Sequence, residues 1–476
     1  MPTLTFKAVS PRYIGTNGKE NRPEFSSINP TTGEVYAIGH ASTVHDVKKA
    51  AVEALVAQRA WAALTGAQRA ERLHAWATVI EFEKEALGKA IAEEVGKPIA
   101  EALGEAGRCV SILRYFAGQA VNADGLTIPS LVAHGLQWIQ RRPVGLIGLI
   151  TPWNFPLAIP LWKAAPALAF GNAVLLKPSE HSIFCADLLA KSAIDSGLPE
   201  GIFNVLPGLG DVGEALCESP YLRGISFTGS VATGKKVIEA CAKTQKKVQA
   251  EMGGKNPSLI LKDADLKLAA GLVAGASMRF AGQKCTATSR AIVDKSVTQA
   301  FLSELKIALD KLQIGDPCEA STAIGPVISE ASQSHLLHAI KSSNAKKFYA
   351  TEVPNKGFFV QPTVFTGVDP ESDLAQKELF GPVLAVLEVN GLDEALEMAN
   401  AVPFGLSASL FTKDLTSAMT YAHRIEAGMV RINADTTGLD PHAPFGGVKA
   451  SSYGLREQGP AAREFYTESI TVQINP

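Results

Sequence analysis

Val144-Gly-Leu-Ile-Gly-Leu-Ile-Thr151, Ala173-Val-Leu-Leu-Lys177, Phe203-Asn-Val-Leu206, Gly224-Ile-Ser-Phe-Thr228 and Ser258-Leu-Ile-Leu-Lys262 are short apolar runs separated by helical stretches and small-residue turns. Strands buried on both faces read as continuous apolar runs, so this texture predicts βαβ units on a parallel sheet, the architecture of nucleotide binding. A second alternation between Leu272 and Asn433 carries Ala291-Ile-Val-Asp-Lys295, Val383-Leu-Ala-Val-Leu-Glu-Val389 and Met429-Val-Arg-Ile-Asn433, and predicts a second α/β domain. Upstream, Val44 to Gln119 is rich in Ala, Glu and Lys with apolar residues at helical spacing, which predicts an amphipathic helical scaffold. At the far end, Glu468 to Pro476 alternates polar and apolar residues as an exposed edge strand does. Such a strand pairs readily with another subunit, so a homodimer or homotetramer is expected.

The 476 residues exceed one ordinary domain. No flexible linker divides them, and interwoven domains are expected: 1–120 with 144–252 for the cofactor, 253–447 for catalysis, and 121–143 with 448–476 for oligomerisation. Lys and Arg number 45 against 47 Asp and Glu, so no global field draws the chain to nucleic acid or anionic membrane, and small molecules are the expected partners. The start, Met1 to Tyr13, lacks the layout of a targeting segment, and no run approaches the roughly 18 apolar residues of a spanning helix, which predicts a cytoplasmic protein. Cys109, Cys185, Cys217, Cys241, Cys285 and Cys318 form no C-x-x-C pair and have no His cluster nearby. Neither a disulfide framework nor a metal site is expected, and a cysteine that matters should matter as a single thiol.

Gly208-Leu-Gly210-Asp-Val-Gly213 satisfies G-x-G-x-x-G after an apolar run, but the acid expected about 20 residues further on is absent, and a tight turn explains it as well. Thr228-Gly229-Ser230, leading into a helical stretch, offers unpaired N–H groups, a small residue and a hydroxyl to a phosphate, or a plain helix cap. Lys177-Pro-Ser179-Glu180 ends a strand at the sheet edge where ligands bind in open α/β folds. Lys177 there can reach ribose hydroxyls, and Glu180 can accept from the adenosine ribose while repelling a 2′-phosphate, which favours NAD over NADP; both also read as solvated loop charges.

Phe280-Ala-Gly-Gln-Lys-Cys285-Thr-Ala-Thr-Ser-Arg290 sets a cysteine among small and polar residues. This segment closely resembles the active-site cysteine motif of the aldehyde dehydrogenase superfamily. Four other segments match that family in order across essentially the whole chain: Thr151-Pro-Trp-Asn-Phe-Pro156, Glu251-Met-Gly-Gly-Lys-Asn-Pro257, Glu378-Leu-Phe-Gly-Pro-Val383 and Pro444-Phe-Gly-Gly-Val-Lys449. The resemblance implies the family's fold, a Rossmann-like cofactor domain and a catalytic domain plus a small β oligomerisation element. It implies oxidation of an aldehyde to a carboxylate with NAD, NADP being possible.

Each implied role suits its residue type. A thiolate adds to a carbonyl to make the tetrahedral oxyanion from which hydride departs, and Cys285 matches it. Asn154 matches the side-chain amide that, with a backbone N–H, receives the oxyanion, though it also reads as a turn cap. Glu251 matches the base that activates water against the thioester, and reads equally as a strand-end glutamate. Gly253 and Gly254 let backbone approach cofactor and substrate. By the same resemblance Trp153 and Ser230 lie at the pyrophosphate, Lys177, Ser179 and Glu180 at the adenosine ribose, Glu378 at the nicotinamide ribose and Phe380 near the nicotinamide, with Gly208 and Gly229 completing the cofactor site.

Within the superfamily the chain looks most like bacterial-type α-ketoglutaric semialdehyde (2,5-dioxopentanoate) dehydrogenases. Phe155, Trp162 and Phe445 are expected along the substrate tunnel. Arg279, six residues before Cys285, is similar in position to an arginine that succinic semialdehyde dehydrogenases use for the substrate's carboxylate; Trp162 stands where those enzymes have another arginine. Arg279 reads alternatively as half of a structural ion pair. Succinic or glutaric semialdehyde, or a broad range of aldehydes, are the other substrates implied, and a catalytically silent protein of the same fold is the alternative that intact Cys285, Glu251 and Asn154 argue against. A coenzyme A-acylating enzyme is disfavoured by Glu251.

Overall fold

The computed structural model describes residues 22–122, 125–438 and 440–476; the start of the chain, read above for targeting signals, lies outside them. The helical scaffold consists of Val44–Ala63, Gly66–Phe82, Lys84–Val95 and Ile99–Gln119. Thr43 and Thr65 open the first two helices with reciprocal capping boxes to Asp46 and Gln68, which satisfy otherwise unpaired N–H groups. Trp61 and Trp76 lie in the core these helices build, and each indole N–H finds an acceptor, the Leu168 carbonyl and the Ser192 hydroxyl.

The predicted βαβ run forms a six-stranded sheet in the order Ser452–Tyr453, Lys247–Glu251, Gly224–Thr228, Leu146–Ile150, Ala173–Lys177, Phe203–Val205, parallel except for the first. The chain starts in the middle, winds outward through Ala173–Lys177 and Phe203–Val205, then returns to the other side of Leu146–Ile150. The strand order therefore reverses between Leu146–Ile150 and Gly224–Thr228, and ligands of open α/β sheets bind in the crevice beyond the carboxyl ends of such a pair.

A seven-stranded sheet, ordered Lys346–Ala350, Thr363–Thr366, Val383–Val389, Thr288–Asp294, Asn256–Ile260, Ser407–Phe411, Met429–Ile432, carries a second, separate apolar core. Only its first strand is antiparallel. Met252-Gly-Gly-Lys255 alone joins the Lys247–Glu251 strand of one sheet to the Asn256–Ile260 strand of the other.

The last segment departs from expectation. Residues 448–476 are not one oligomerisation element: Val448–Lys449 pairs with Phe404–Gly405, Ser452–Tyr453 joins the first sheet beside Glu251, and Ala462, Phe465 and Tyr466 sit in the first core. Only Thr467–Ile474 joins Leu136–Pro143 and Gly125–Ile128 in a small antiparallel sheet. Apolar alternation marks the final strand but carries no trace of the two short pairings before it.

Among the described residues no helix is long and apolar enough to cross a membrane, and no group of three or more His, Cys, Asp or Glu is placed to hold a metal ion.

Candidate active site

The crevice at the strand reversal is lined by polar groups with nothing to bond. Thr151, just past Leu146–Ile150, and Thr228, ending Gly224–Thr228, bury hydroxyl oxygens that have no partner. Buried polar atoms are rarely left unmet, so these two mark a place built for a polar ligand. Gly229 donates its N–H to the Glu251 carbonyl at 3.1 Å, and Ser230 caps the Val231–Lys243 helix by accepting from the Thr233 N–H. Ser230 is thus a helix cap, and it also stands at the positive end of a dipole facing the crevice.

Lys177 closes its strand, and its ammonium lies 3.6 Å from Glu180, while Ser179 caps the turn that follows. Burial alone raises the Glu180 carboxyl, but Lys177, a backbone N–H and His181 outweigh it and keep the group below the usual range, hence charged near neutrality. Gly208 follows Phe203–Val205, the edge strand, rather than the central one. The G-x-G-x-x-G segment therefore follows the edge strand, with Gly213 turned toward Ile150 at the end of the central strand, and the loop directly after the central strand is Thr151-Pro-Trp-Asn.

Trp153 packs edge-on against Phe380 (centroids 5.7 Å apart) and Phe280 (6.3 Å). Glu378 reaches the same place from the second domain: its carboxylate accepts the Gly254 N–H at 3.1 Å. A Cβ on Gly253 would fall 1.8 Å from that carboxylate, so a larger residue here would displace the Glu378 side chain from this place. Burial raises the Glu378 carboxyl to about 7, against the pull of the Gly254 N–H and Lys255. Orphaned hydroxyls, a helix N-terminus, the Lys177–Glu180 pair at the sheet edge, and a glycine cradle under a carboxylate fit a dinucleotide.

Cys285 sits in the loop before the Thr288–Asp294 strand, at a cavity of about 260 Å³ lined also by Phe155, Trp162, Phe445, Thr286 and Arg108. The chain reaches it through an unusual turn: Phe280, Ala281 and Gly282 all have positive φ. Two of these are not glycine, and left-handed backbone costs such residues roughly 1–3 kcal/mol each, so the surroundings must hold the turn in place. A Cβ on Gly282 would meet the Gly381 carbonyl at 2.3 Å, which locks the cysteine loop to the segment bearing Glu378 and Phe380. Phe380 is itself left-handed, with φ of 56°. Burial, then the charges of Glu378 and Glu251, raise the Cys285 thiol to about 12. Cys109, Cys185, Cys217 and Cys241 are buried, and Cys318 is exposed.

Asn154 donates to the Gln283 carbonyl at 3.0 Å, two residues ahead of Cys285, which sets its amide beside the cysteine loop with a second N–H to give. Glu251 ends its strand fully buried; the Ser452 hydroxyl donates to one carboxylate oxygen and the other has no partner. Burial first, and Glu457 next, raise its carboxyl well above the usual range.

Arg279 is the exception among the expected residues. Its side chain is exposed, runs back beside Gly275, and is not among those lining the Cys285 cavity. The physical reason is the left-handed turn: reversal at Phe280 and Ala281 turns Phe280 inward and leaves Arg279 on the outside. Arg108, on the Ile99–Gln119 helix, faces the cavity instead.

Buried ion pairs that local sequence does not announce shape the site. Lys97 pairs with Glu105 and stands 3.7 Å over the Phe155 ring. The other Glu105 oxygen accepts the Leu157 and Ala158 N–H groups at 3.0 Å, anchoring the start of the helix that carries Trp162. Lys163 pairs with Glu457, which also accepts from Ser226 and Gln249 beneath Glu251. Phe445 and Glu457 exchange backbone hydrogen bonds, and the Phe445 ring rests 5.5 Å from Trp162. The available signals were Lys97 next to a proline and Lys163 inside an otherwise apolar helix.

A thiol, an amide and a buried carboxylate beside a dinucleotide-type crevice mark the chain as an oxidoreductase. The sequence profile of the aldehyde dehydrogenase family matches residues 16–472, and the chain belongs to that family. It is 41% identical to an α-ketoglutaric semialdehyde dehydrogenase of Bacillus subtilis over 91% of each chain. A betaine aldehyde dehydrogenase of Cereibacter sphaeroides is 39% identical, covering 94% of this chain and 93% of that one. The crystal structure of an NAD-dependent aldehyde dehydrogenase from Sinorhizobium meliloti superposes with a TM-score of 0.91 at 37% identity, over 95% of this chain and 91% of that one.

Proposed function

We propose that this enzyme oxidises α-ketoglutaric semialdehyde to 2-oxoglutarate with NAD. What supports the choice of substrate is the 41% identity to an α-ketoglutaric semialdehyde dehydrogenase over 91% of each chain, together with an arginine, Arg108, in the wall of the Cys285 cavity. The Trp162–Phe445 pair supplies the aromatic surface a trimethylammonium group would need, which keeps betaine aldehyde as the second reading, but a cation beside it works against that ligand.

In this mechanism the Cys285 thiol gives up its proton to solvent as its sulfur adds to the aldehyde carbon, and Asn154 with the Cys285 backbone N–H receives the oxyanion. Lys177, Glu180, Ser230 and Glu378 would hold NAD, which when bound would supply the hydride acceptor. Glu251 takes a proton from the water that cleaves the resulting thioester, releasing the carboxylate and restoring the thiol. The test is a panel of α-ketoglutaric semialdehyde, succinic semialdehyde, pentanal and betaine aldehyde. The highest kcat/KM is expected for the first, and a preference for betaine aldehyde sinks the proposal.

Cofactor choice gives a separate expectation. Charged Glu180 accepts from ribose hydroxyls and repels a 2′-phosphate, so kcat/KM for NAD should exceed that for NADP. Glu180→Gln should narrow the ratio by about tenfold, in keeping with the roughly 1.4 kcal/mol that one unfavourable charge contact of this kind costs at a partly solvated site. A wild-type enzyme that prefers NADP contradicts this.

A further inference from the structure

We infer that Ser452 positions the base of the reaction by holding one oxygen of the Glu251 carboxylate and leaving the other to take a proton. The inference rests on the reading of Glu251 as that base. Ser452–Tyr453 is the antiparallel addition to an otherwise parallel sheet, and its register sets Ser452 directly opposite Glu251. Side chains opposite each other on neighbouring strands share a face of the sheet and lie within reach. The register is pinned from both faces. Met252 donates its N–H to the Ser451 carbonyl at 2.8 Å, and the Ser451 hydroxyl, on the other face, accepts the Gly405 N–H at 3.0 Å. Ser452 in turn accepts the Gly447 N–H at 2.6 Å, so its own hydroxyl proton is directed to Glu251.

The second Glu251 oxygen, which has no partner, faces a space that a glycine keeps clear. Gly446 is left-handed, with φ of 148°, and a Cβ on it would fall 2.7 Å from that oxygen and 2.8 Å from an Arg456 nitrogen. Phe445, the preceding residue, lines the Cys285 cavity, so this space adjoins the cavity wall. Burial and then Glu457 oppose charge on the carboxylate, while the Ser452 hydroxyl, Lys163 and Arg456 favour it, and the Cys285 thiol feels that charge in turn. Lys163 and Glu457 pair with each other, which leaves the Ser452 hydroxyl as the group that bonds the carboxylate directly. A hydrogen bond donated to the charged form favours that form, and the charged form is the one that can act as a base.

The experiment follows the reduced cofactor through the first and later turnovers, as a function of pH, in wild type, Ser452→Ala, Ser452→Thr and Glu251→Gln. The acid limb of the steady rate should stand about one to two pH units higher in Ser452→Ala, the shift expected when one hydrogen bond to a charged group is lost. Below that limb steady turnover should fall about 10- to 100-fold, and above it the two enzymes should converge. The first turnover needs the thiol and not the base, so its rate and amplitude should persist, which also reports that the variant is folded. Ser452→Thr keeps the hydroxyl and should restore the wild-type limb. An unmoved limb in Ser452→Ala, or a first turnover that falls in step with the steady rate at every pH, overturns the inference and makes Ser452 a structural residue. If Glu251→Gln keeps both the limb and the steady rate, the reading of Glu251 as the base fails; if it loses them while the limb of Ser452→Ala stays in place, the role of Ser452 alone fails.

Discussion

Cys285→Ala should lower dehydrogenase turnover by roughly 10⁴-fold or more while NAD still binds, because residues acting as one catalytic unit fail together when the nucleophile is removed. The thiol is the member of the site that forms a bond to substrate, and without it no tetrahedral adduct stands at the oxyanion donors. Alanine leaves the left-handed Phe280 to Gly282 turn and the Gly282 contact with Gly381 untouched, so the fold and the crevice at Thr151 and Thr228 should persist. Absorbance of the reduced cofactor reports turnover, and calorimetric titration reports NAD binding. Turnover within tenfold of wild type would remove Cys285 from the mechanism; loss of NAD binding would mean that the substitution had disturbed the crevice.

Glu251→Gln should separate the two halves of the reaction. Hydride transfer needs the thiol and the oxyanion donors, whereas cleavage of the thioester needs a base. A burst of reduced cofactor, one equivalent per site, should therefore be followed by steady turnover slowed about 10²- to 10⁴-fold. The pH dependence has a definite sign. Burial and Glu457 raise the Glu251 carboxyl, so its basic form appears only as pH climbs past that raised value. In the wild type the acid limb of kcat should lie well above the usual carboxylate range, and steady turnover should rise with pH through it; in Glu251→Gln that limb should vanish. A variant without a burst would reassign Glu251 to activating the thiol, and one with an unchanged steady rate would free it of any role.

Both parallel sheets were legible because unbroken apolar runs announce their strands, and Cys285, Asn154 and Glu251 could be singled out as candidates because each lies in a short motif that resembles the family's. What could not be read depends on distant partners. Nothing around Lys163 shows that Glu457 will neutralise it 294 positions later, nor around Lys97 that its partner will also anchor the helix start at Leu157. Arg279 was misplaced for a different reason. Six residues from Cys285 suggests a shared wall only if the chain runs on regularly, and three consecutive left-handed residues make it double back. The place of the G-x-G-x-x-G segment at Gly208, after the edge strand, is set by strand order, which a local pattern does not carry.

The four residues that carry the chain from one sheet to the other also limit how such enzymes can be recombined. Met252 to Lys255 hold the strand that ends in Glu251 against the one that begins at Asn256, and Gly253 lies under a carboxylate from beyond residue 370. A crossover cut there, joining the front of this chain to the back of a homologue, separates Glu251 from the Ser452 that bonds it and Lys163 from Glu457. The halves look like two modules, yet a working chimera must inherit 163, 251–256, 282, 378–381 and 452–457 from a single parent, so the exchangeable unit is the seam between the domains rather than either domain.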